Sequence, residues 1–277
     1  MDFQIISDLH LETHPAYDFV IERTAPYLAL LGDIGHLEHD QFFPFIEELL
    51  SRFEIVFLLF GNHEPQSYTM DAARRKVIAF QDRLSAHSPP CPPSTSTSTS
   101  ASTSASASTG RFVFLSQTRF DVSDSLTVLG CTLYSHILPE QDQAVAARMS
   151  DFKMIADWTT ETHNRAHDAD LAWLNAQVRE IELREPRRRI AIFSHHAPSL
   201  DPRAVDPRYA GSSVTSGFAT ELRDQPCWTS SAVTTWAFGH THYNCDFELG
   251  GVRVIANQKG YYASPRDTFV PGRIYSL

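Results

Sequence analysis

A chain of 277 residues with 42 % hydrophobic and 20 % charged types can bury a sizeable core and need not be divided, so a single domain over 1–277 is expected. The formal net charge of -10, from 33 acidic against 23 basic residues, argues against a surface built mainly to grip nucleic acid. It leaves a phosphorylated substrate open, because bound cations would reset the field where the chemistry happens.

The start, Met1-Asp2-Phe3-Gln4-Ile5-Ile6-Ser7-Asp8, lacks the basic stretch and apolar core of a secretory signal. No later segment is a clean apolar span of membrane length. Cys91, Cys131, Cys227 and Cys245 are too scattered for a close thiol pair, so a reduced, cytoplasmic protein is expected.

In chain order, Phe3 to Ser7 reads as a short strand, followed by more continuous apolar strands at Tyr27 to Leu31 and Glu54 to Phe60. Each runs straight into polar residues: Asp8, then Gly32-Asp33, then Gly61-Asn62-His63. Between them, Asp40 to Arg52 has helical spacing, with Phe42, Phe45, Ile46, Leu49 and Leu50 on one broad face. A further helix is expected over Met70 to Leu84. From 86 to 110 the chain turns Pro-rich and then Ser/Thr/Ala-rich. Such residues offer little burial against ordering entropy, and a disordered insertion is expected. Strands resume at Phe112 to Leu115 and Leu126 to Gly130, and a helix is expected from Ala169 to Leu183 with Leu171, Leu174, Val178 and Ile181 aligned. The triplet Arg187-Arg188-Arg189, read as a solvated turn, precedes a strand at Ile190 to Phe193. Val233 to Phe238 and Val252 to Ile255 supply two more. Alternating strands and helices with polar groups at strand ends describe an α/β protein that builds its site there.

Those strand ends carry metal-ligand chemistry. Asp8 and His10 are two positions apart, so a locally extended chain would project both to one side, although an aspartate there also caps helices. Asp33 offers two carboxylate oxygens that can bridge two cations and lower their mutual repulsion; alone it is an ordinary acidic turn. Asn62 offers a neutral carbonyl oxygen, His63 a transferable proton, and Gly61 the tight change of direction they need. The later half adds His195-His196 after one strand and Gly239-His240-Thr241-His242 after another. Any one of these histidines alone is more simply a satisfied polar side chain. The ordered set is not.

The Gly61-Asn62-His63-Glu64 and Gly239-His240-Thr241-His242 motifs, with Asp8, His10, Asp33 and His195, resemble the calcineurin-like metallophosphoesterase family from Phe3 to about Asn257. The resemblance implies a four-layer fold, a central β-sandwich flanked by helices, which the local pattern does not distinguish from a single doubly wound sheet. It also implies a binuclear centre. One metal would take Asp8, His10 and His242, the other Asn62, His195 and His240, with Asp33 shared and His63 near the leaving group or a nonbridging phosphate oxygen. The resemblance permits iron with manganese or zinc. His196 is a candidate for a substrate-contacting or ligand-supporting role. Weaker similarity to a bacterial and fungal subgroup, at Gly130 to Ser135, Asp151-Phe152 and Asn257 to Tyr261, offers Tyr134 and Phe152 as pocket residues. Arg208 and Tyr209 are further pocket candidates.

The expected activity is hydrolysis of a small phosphodiester or phosphomonoester by a hydroxide shared between two ions drawn from Mn, Fe or Zn. Competing readings are a catalytically weak metal-binding scaffold for a protein partner, and a metal-dependent hydrolase whose electrophile is not phosphorus. Neither nucleic acid nor a membrane is an expected partner.

Overall fold

The computed structural model describes residues 1–13, 17–87, 110–261 and 268–277. The insertion expected over 86–110 falls, from 88 to 109, outside the described residues.

The strands are β1 (Asp2–Ile6), β2 (Tyr27–Leu31), β3 (Ile55–Leu59), β4 (Arg111–Phe114), β5 (Thr118–Ser123), β6 (Leu126–Gly130), β7 (Arg189–Phe193), β8 (Val233–Phe238), β9 (Cys245–Leu249), β10 (Val252–Ala256) and β11 (Ile274–Ser276). The helices are α1 (Phe42–Leu50), α2 (Met70–His87), α3 (Asp142–Arg148), α4 (Asp151–Met154), α5 (Thr160–Arg184) and α6 (Pro226–Thr229). One sheet has the order β11-β1-β2-β3-β4 and the other β5-β6-β7-β8-β10-β9. Within each, the inner strands run parallel and antiparallel strands close the edges at β11, β5 and β9.

The sheets face each other. Phe3, Ile5, Ala29, Leu31, Phe57 and Leu59 of the first form one buried cluster with Leu126, Val128, Ala191, Phe193, Ala237 and Ile255 of the second. Phe3 sits at the centre of this layer, its ring 6.0 Å from Phe57 and 5.9 Å from Phe193. Because strand side chains alternate, the intervening residues point outward: Leu28, Leu30, Val56 and Leu58 join Phe42, Ile46, Leu49 and Val77 of α1 and α2. On the far side, Leu129, Ile190, Ile192 and Trp236 join Leu174, Val178 and Ile181 of α5. The four-layer architecture explains why these strands read as unbroken apolar runs, since both faces of each sheet are covered.

α5 begins nine residues earlier than expected, at Thr160 and not Ala169. Its buried face starts with His163, His167 and Asp170 before turning to Leu174, Val178 and Ile181, so the helical period is continuous while the chemistry changes. Thr159 caps it: its side chain accepts from the Thr162 backbone N–H, and Thr162 Oγ1 accepts from Thr159 N in return. The strands β5, β9 and β11 also escape the apolar pattern, because they are edge strands with half-exposed faces.

Parallel strands deliver their C-terminal loops to one end of the sandwich. There the loops continue the pairing of the strands. Asp8 N–H donates to Gly32 O at 3.0 Å, His10 N–H to Asp33 O at 2.9 Å, and Gly239 N–H to His195 O at 2.8 Å.

Candidate metal centre

Five site residues, Asp8, His10, Asp33, His240 and His242, hold left-handed backbone conformations with φ from 48° to 68°. The Asp8-Leu9-His10 and His240-Thr241-His242 segments are therefore not extended, as the two-residue spacing suggests. Single left-handed residues flank a buried Leu9 and Thr241, and the turn rather than the pleat brings each pair round. Side chains with Cβ adopt this region only where the surroundings hold them in it.

The structure brings together all seven expected ligands. Asp8 Oδ1 is 3.2 Å from His242 Nε2, and His10 Nε2 is 2.9 Å from the same nitrogen. Asp33 Oδ2 stands between the two halves, 3.8 Å from His10 Nε2 and 3.4 Å from His195 Nε2. Asn62 Oδ1 lies 3.2 Å from His195 Nε2. One ligand atom from each of Asp8, His10 and His242 lies within 4.8 Å of the others, and the same holds for Asp33, His195 and His240. Two imidazole nitrogens aimed at each other, with a carboxylate oxygen beside each, is a donor set for first-row divalent cations. The residues present fit a pair of them.

Electrostatics prepare these donors. Burial alone would raise Asp33, but His195, His63 and His10 hold it well below the usual carboxylate range; burial would raise Asp8 too, but His242 lowers it. Both are anions. Burial pushes His240 down to about 3, leaving a neutral imidazole able to donate a lone pair.

Several of these donors are fixed from behind. His240 N–H donates to both Asp8 oxygens at 3.1 Å, and His195 Nδ1 donates to Leu31 O at 2.8 Å, which turns Nε2 to the centre. The Asn62 amide donates to Asp151 Oδ1 at 2.8 Å. Glu64, fully buried, accepts from the backbone N–H groups of Asp33, Ile34 and Gly61. Its carboxyl is lifted to about 7 by burial and by the Asp33 charge. Glu64 is thus the residue that shapes the Asp33 turn, a role the motif did not suggest. The close approach at Gly61 is equally strict: a Cβ there would stand 2.1 Å from Asp33 Oδ1.

His63 sits against this group with Nε2 4.0 Å from Asp33 Oδ2 and Nδ1 2.9 Å from Glu12 Oε1. Burial alone would lower it; Asp33 and Glu12 outweigh burial and lift it to about 10. Glu12 also receives His10 Nδ1 at 2.8 Å. It was not among the expected site residues, although Asp8, His10 and Glu12 stand at successive two-residue steps.

A cavity of about 590 Å³ opens over the centre, lined by Asp33, Asn62, His63, His240 and His242 on its floor and by Arg148, Met149, Val214, Phe218, Tyr209 and Tyr261 among its walls. Of the suggested pocket residues, only Tyr209 lines it. Tyr134 is buried against Trp158, His163 and His196, its hydroxyl toward Met70 Sδ. Phe152 packs with Ile137, Val145 and Met149. Arg208 is exposed and bound to Asp206. His196 is buried beneath the site, its ring 4.0 Å from that of His240 and its Nδ1 3.2 Å from Ser135 Oγ, and it does not line the cavity. Arg148 and Phe218 were missed as wall residues because their segments carry no periodic or ligand-type pattern; Tyr261 ends the Asn257 to Tyr261 stretch of subgroup similarity but was not offered as a pocket residue.

Among the described residues no helix is long and apolar enough to cross a membrane. The sequence matches the family model of calcineurin-like phosphoesterases over residues 1–244. It is 24 % identical over 289 residues to an uncharacterized protein of Acanthamoeba polyphaga mimivirus, covering 96 % of this chain and 93 % of that protein. The fold is similar to that of the phosphopantetheinyl hydrolase of Mycobacterium tuberculosis, with a TM-score of 0.65 at 14 % identity over 94 % of this chain and 89 % of that one. A putative 5'-nucleotidase from Staphylococcus aureus, solved with alpha-ketoglutarate, aligns with a TM-score of 0.49 at 14 % identity over 94 % of this chain and 48 % of its own.

Proposed function

The chain belongs to the calcineurin-like phosphoesterase family and is a metal-dependent phosphoesterase, and from that premise we propose that it hydrolyses a small phosphodiester or phosphomonoester, with residues 1–277 acting as one catalytic domain. The observation that carries the reading is the place of Asp33 Oδ2, within 4.0 Å of imidazole nitrogens from His10, His195 and His63 at once. One carboxylate there joins both ligand groups to the residue suited to move a proton.

Asp8, His10 and His242 would hold one cation and Asn62, His195 and His240 the other, with Asp33 common to both and the ions drawn from Mn, Fe or Zn. When bound, the pair supplies the Lewis acidity that makes a shared water nucleophilic near neutral pH and offsets charge on the phosphoryl oxygens. The chain does the rest. The carboxylates of Asp8 and Asp33 stay ionised, the backbone contacts behind them fix their direction, and Asp151 holds the Asn62 carbonyl oxygen toward the centre. His63, kept protonated by Asp33 and Glu12, gives its Nε2 proton to the departing oxygen and is left as a neutral imidazole. A cavity of about 590 Å³ suits a small organic group on the phosphate, with Arg148 as a cation on its wall.

The test is hydrolysis by metal-reconstituted protein across nucleotides, cyclic nucleotides, phospholipid headgroups and sugar phosphates. Turnover of small esters that disappears on chelation and returns with Mn, Fe or Zn is expected. Metal-loaded protein that binds these compounds and cleaves none across a range of pH would overturn the proposal and favour a scaffold.

A further inference from the structure

Beside the binuclear group lies a second cluster of donors. Glu12 Oε2 and His36 Nε2 are buried with no hydrogen-bond partner among the described residues. His63 Nδ1 is close to Glu12 Oε1 but is not aligned for a hydrogen bond. One ligand atom from each of these three residues lies within 4.8 Å of the others. They come from the loops after β1, β2 and β3, and the His36 and His63 rings are 5.9 Å apart. His36 is held from its backbone, whose N–H donates to Tyr17 Oη at 3.1 Å. Glu12 keeps Oε1 for His10, so Oε2 is the oxygen left over.

We propose that Glu12, His36 and His63 form a third cation site, for zinc or a similar ion, whose filling inhibits the enzyme. Two imidazoles and a carboxylate leave a fourth position for water, a common zinc arrangement. Inhibition follows from position. A cation bound at His63 Nδ1 ties that ring to Glu12 and His36, so the side chain that lines the cavity is held by the ion instead of being available to the departing oxygen. This consequence rests on the role of His63 proposed above; the binding of a third ion does not.

The experiment dialyses zinc-loaded holoenzyme against graded zinc chloride, counts bound zinc by mass spectrometry and follows hydrolysis of bis(p-nitrophenyl) phosphate. His36→Gln and His36→Ala are carried in parallel, with circular dichroism to establish that at least one is folded. The wild type is expected to take a third equivalent after the first two, losing activity in step. Outer partners of a metal site are already worth about 10- to 100-fold in affinity, so losing a direct ligand is expected to raise the half-inhibitory zinc concentration at least as much, with basal turnover kept. A wild type that stops at two equivalents, or a His36 variant that binds the third as tightly, overturns the site. A third equivalent that leaves hydrolysis untouched overturns the inhibition. Should no ester be hydrolysed at all, the zinc counts still decide the site independently of the functional reading.

Discussion

Asp151 Oδ1 accepts the Asn62 amide at 2.8 Å, and that one hydrogen bond decides which end of Asn62 faces His195. Without it the side-chain amide could turn a nitrogen, which cannot bind a cation, toward the centre. Asp151→Ala is expected to lower metal affinity or turnover by about 10- to 100-fold, the usual worth of such supporting partners. Metal titration followed by circular dichroism checks it; an unchanged affinity would show that Asn62 needs no such support.

Replacing His63 by Ala is expected to reduce kcat by about 10²- to 10⁴-fold, the range for a lost general acid, while bound metal stays the same. Metal analysis alongside kinetics separates the two. A variant that loses metal and turnover together would make His63 a ligand.

Gly61→Ala keeps a backbone that alanine can adopt, yet its methyl group would press on Asp33 Oδ1 at 2.1 Å and on His195 Cε1 at 2.7 Å. Overpacking of this kind costs about 1–3 kcal/mol. The expected variant is folded, somewhat less stable, and weaker in metal binding, as read by melting and by metal titration.

Metal-free protein should be most stable in mildly acidic solution. His63 and His195, lifted to about 10 and about 9 chiefly by Asp33 against their burial, stabilise the fold fully below the unfolded histidine value of about 6.5. That stability is lost as pH climbs through 9 and 10. Glu64, raised to about 7 by burial, loses its contribution over the rise from about 4.5. On the acid side, His240, pushed down to about 3 by burial, loses its contribution as pH falls from about 6.5 through 3, and Glu12 is lowered to about 2 because His10 and His63 outweigh its burial. Its contribution is present above about 4.5 and disappears as pH falls through 2. Melting temperatures of chelator-treated protein should therefore fall toward both extremes. Restoring metal should flatten the alkaline side, since cations then do what the protons did.

Phe57→Ala empties the layer between the sheets, where its ring meets Phe3 and Phe120. A loss of about 3–5 kcal/mol is expected, measured by denaturant melts, with the metal count unchanged in the protein that remains folded.

The candidate donors were legible because they follow closely on apolar strands: Asp33 after Leu30-Leu31, His195 after Ile192-Phe193. The two-sheet arrangement was not, since inward Leu31 and outward Leu30 are both apolar and alternation leaves no trace when both faces are buried. The first half of α5 was hidden for the opposite reason. His163, His167 and Asp170 occupy buried helical positions with polar side chains, and a reading keyed to apolar period begins only where they end. Glu12 and His36 stand close to ligands in sequence, but nothing local shows that the loops after β1 and β2 turn them toward His63. Those turns depend on left-handed residues that are not glycine, which composition cannot reveal.

Asp8 and His240, 232 positions apart, meet where the His240 backbone N–H donates to the Asp8 carboxylate. During synthesis the early donors therefore precede the residues that would complete the proposed coordination, until the loop after β8 emerges. A chain broken off before β8 would carry Asp8, His10 and Asp33 without the full set proposed to hold the ions.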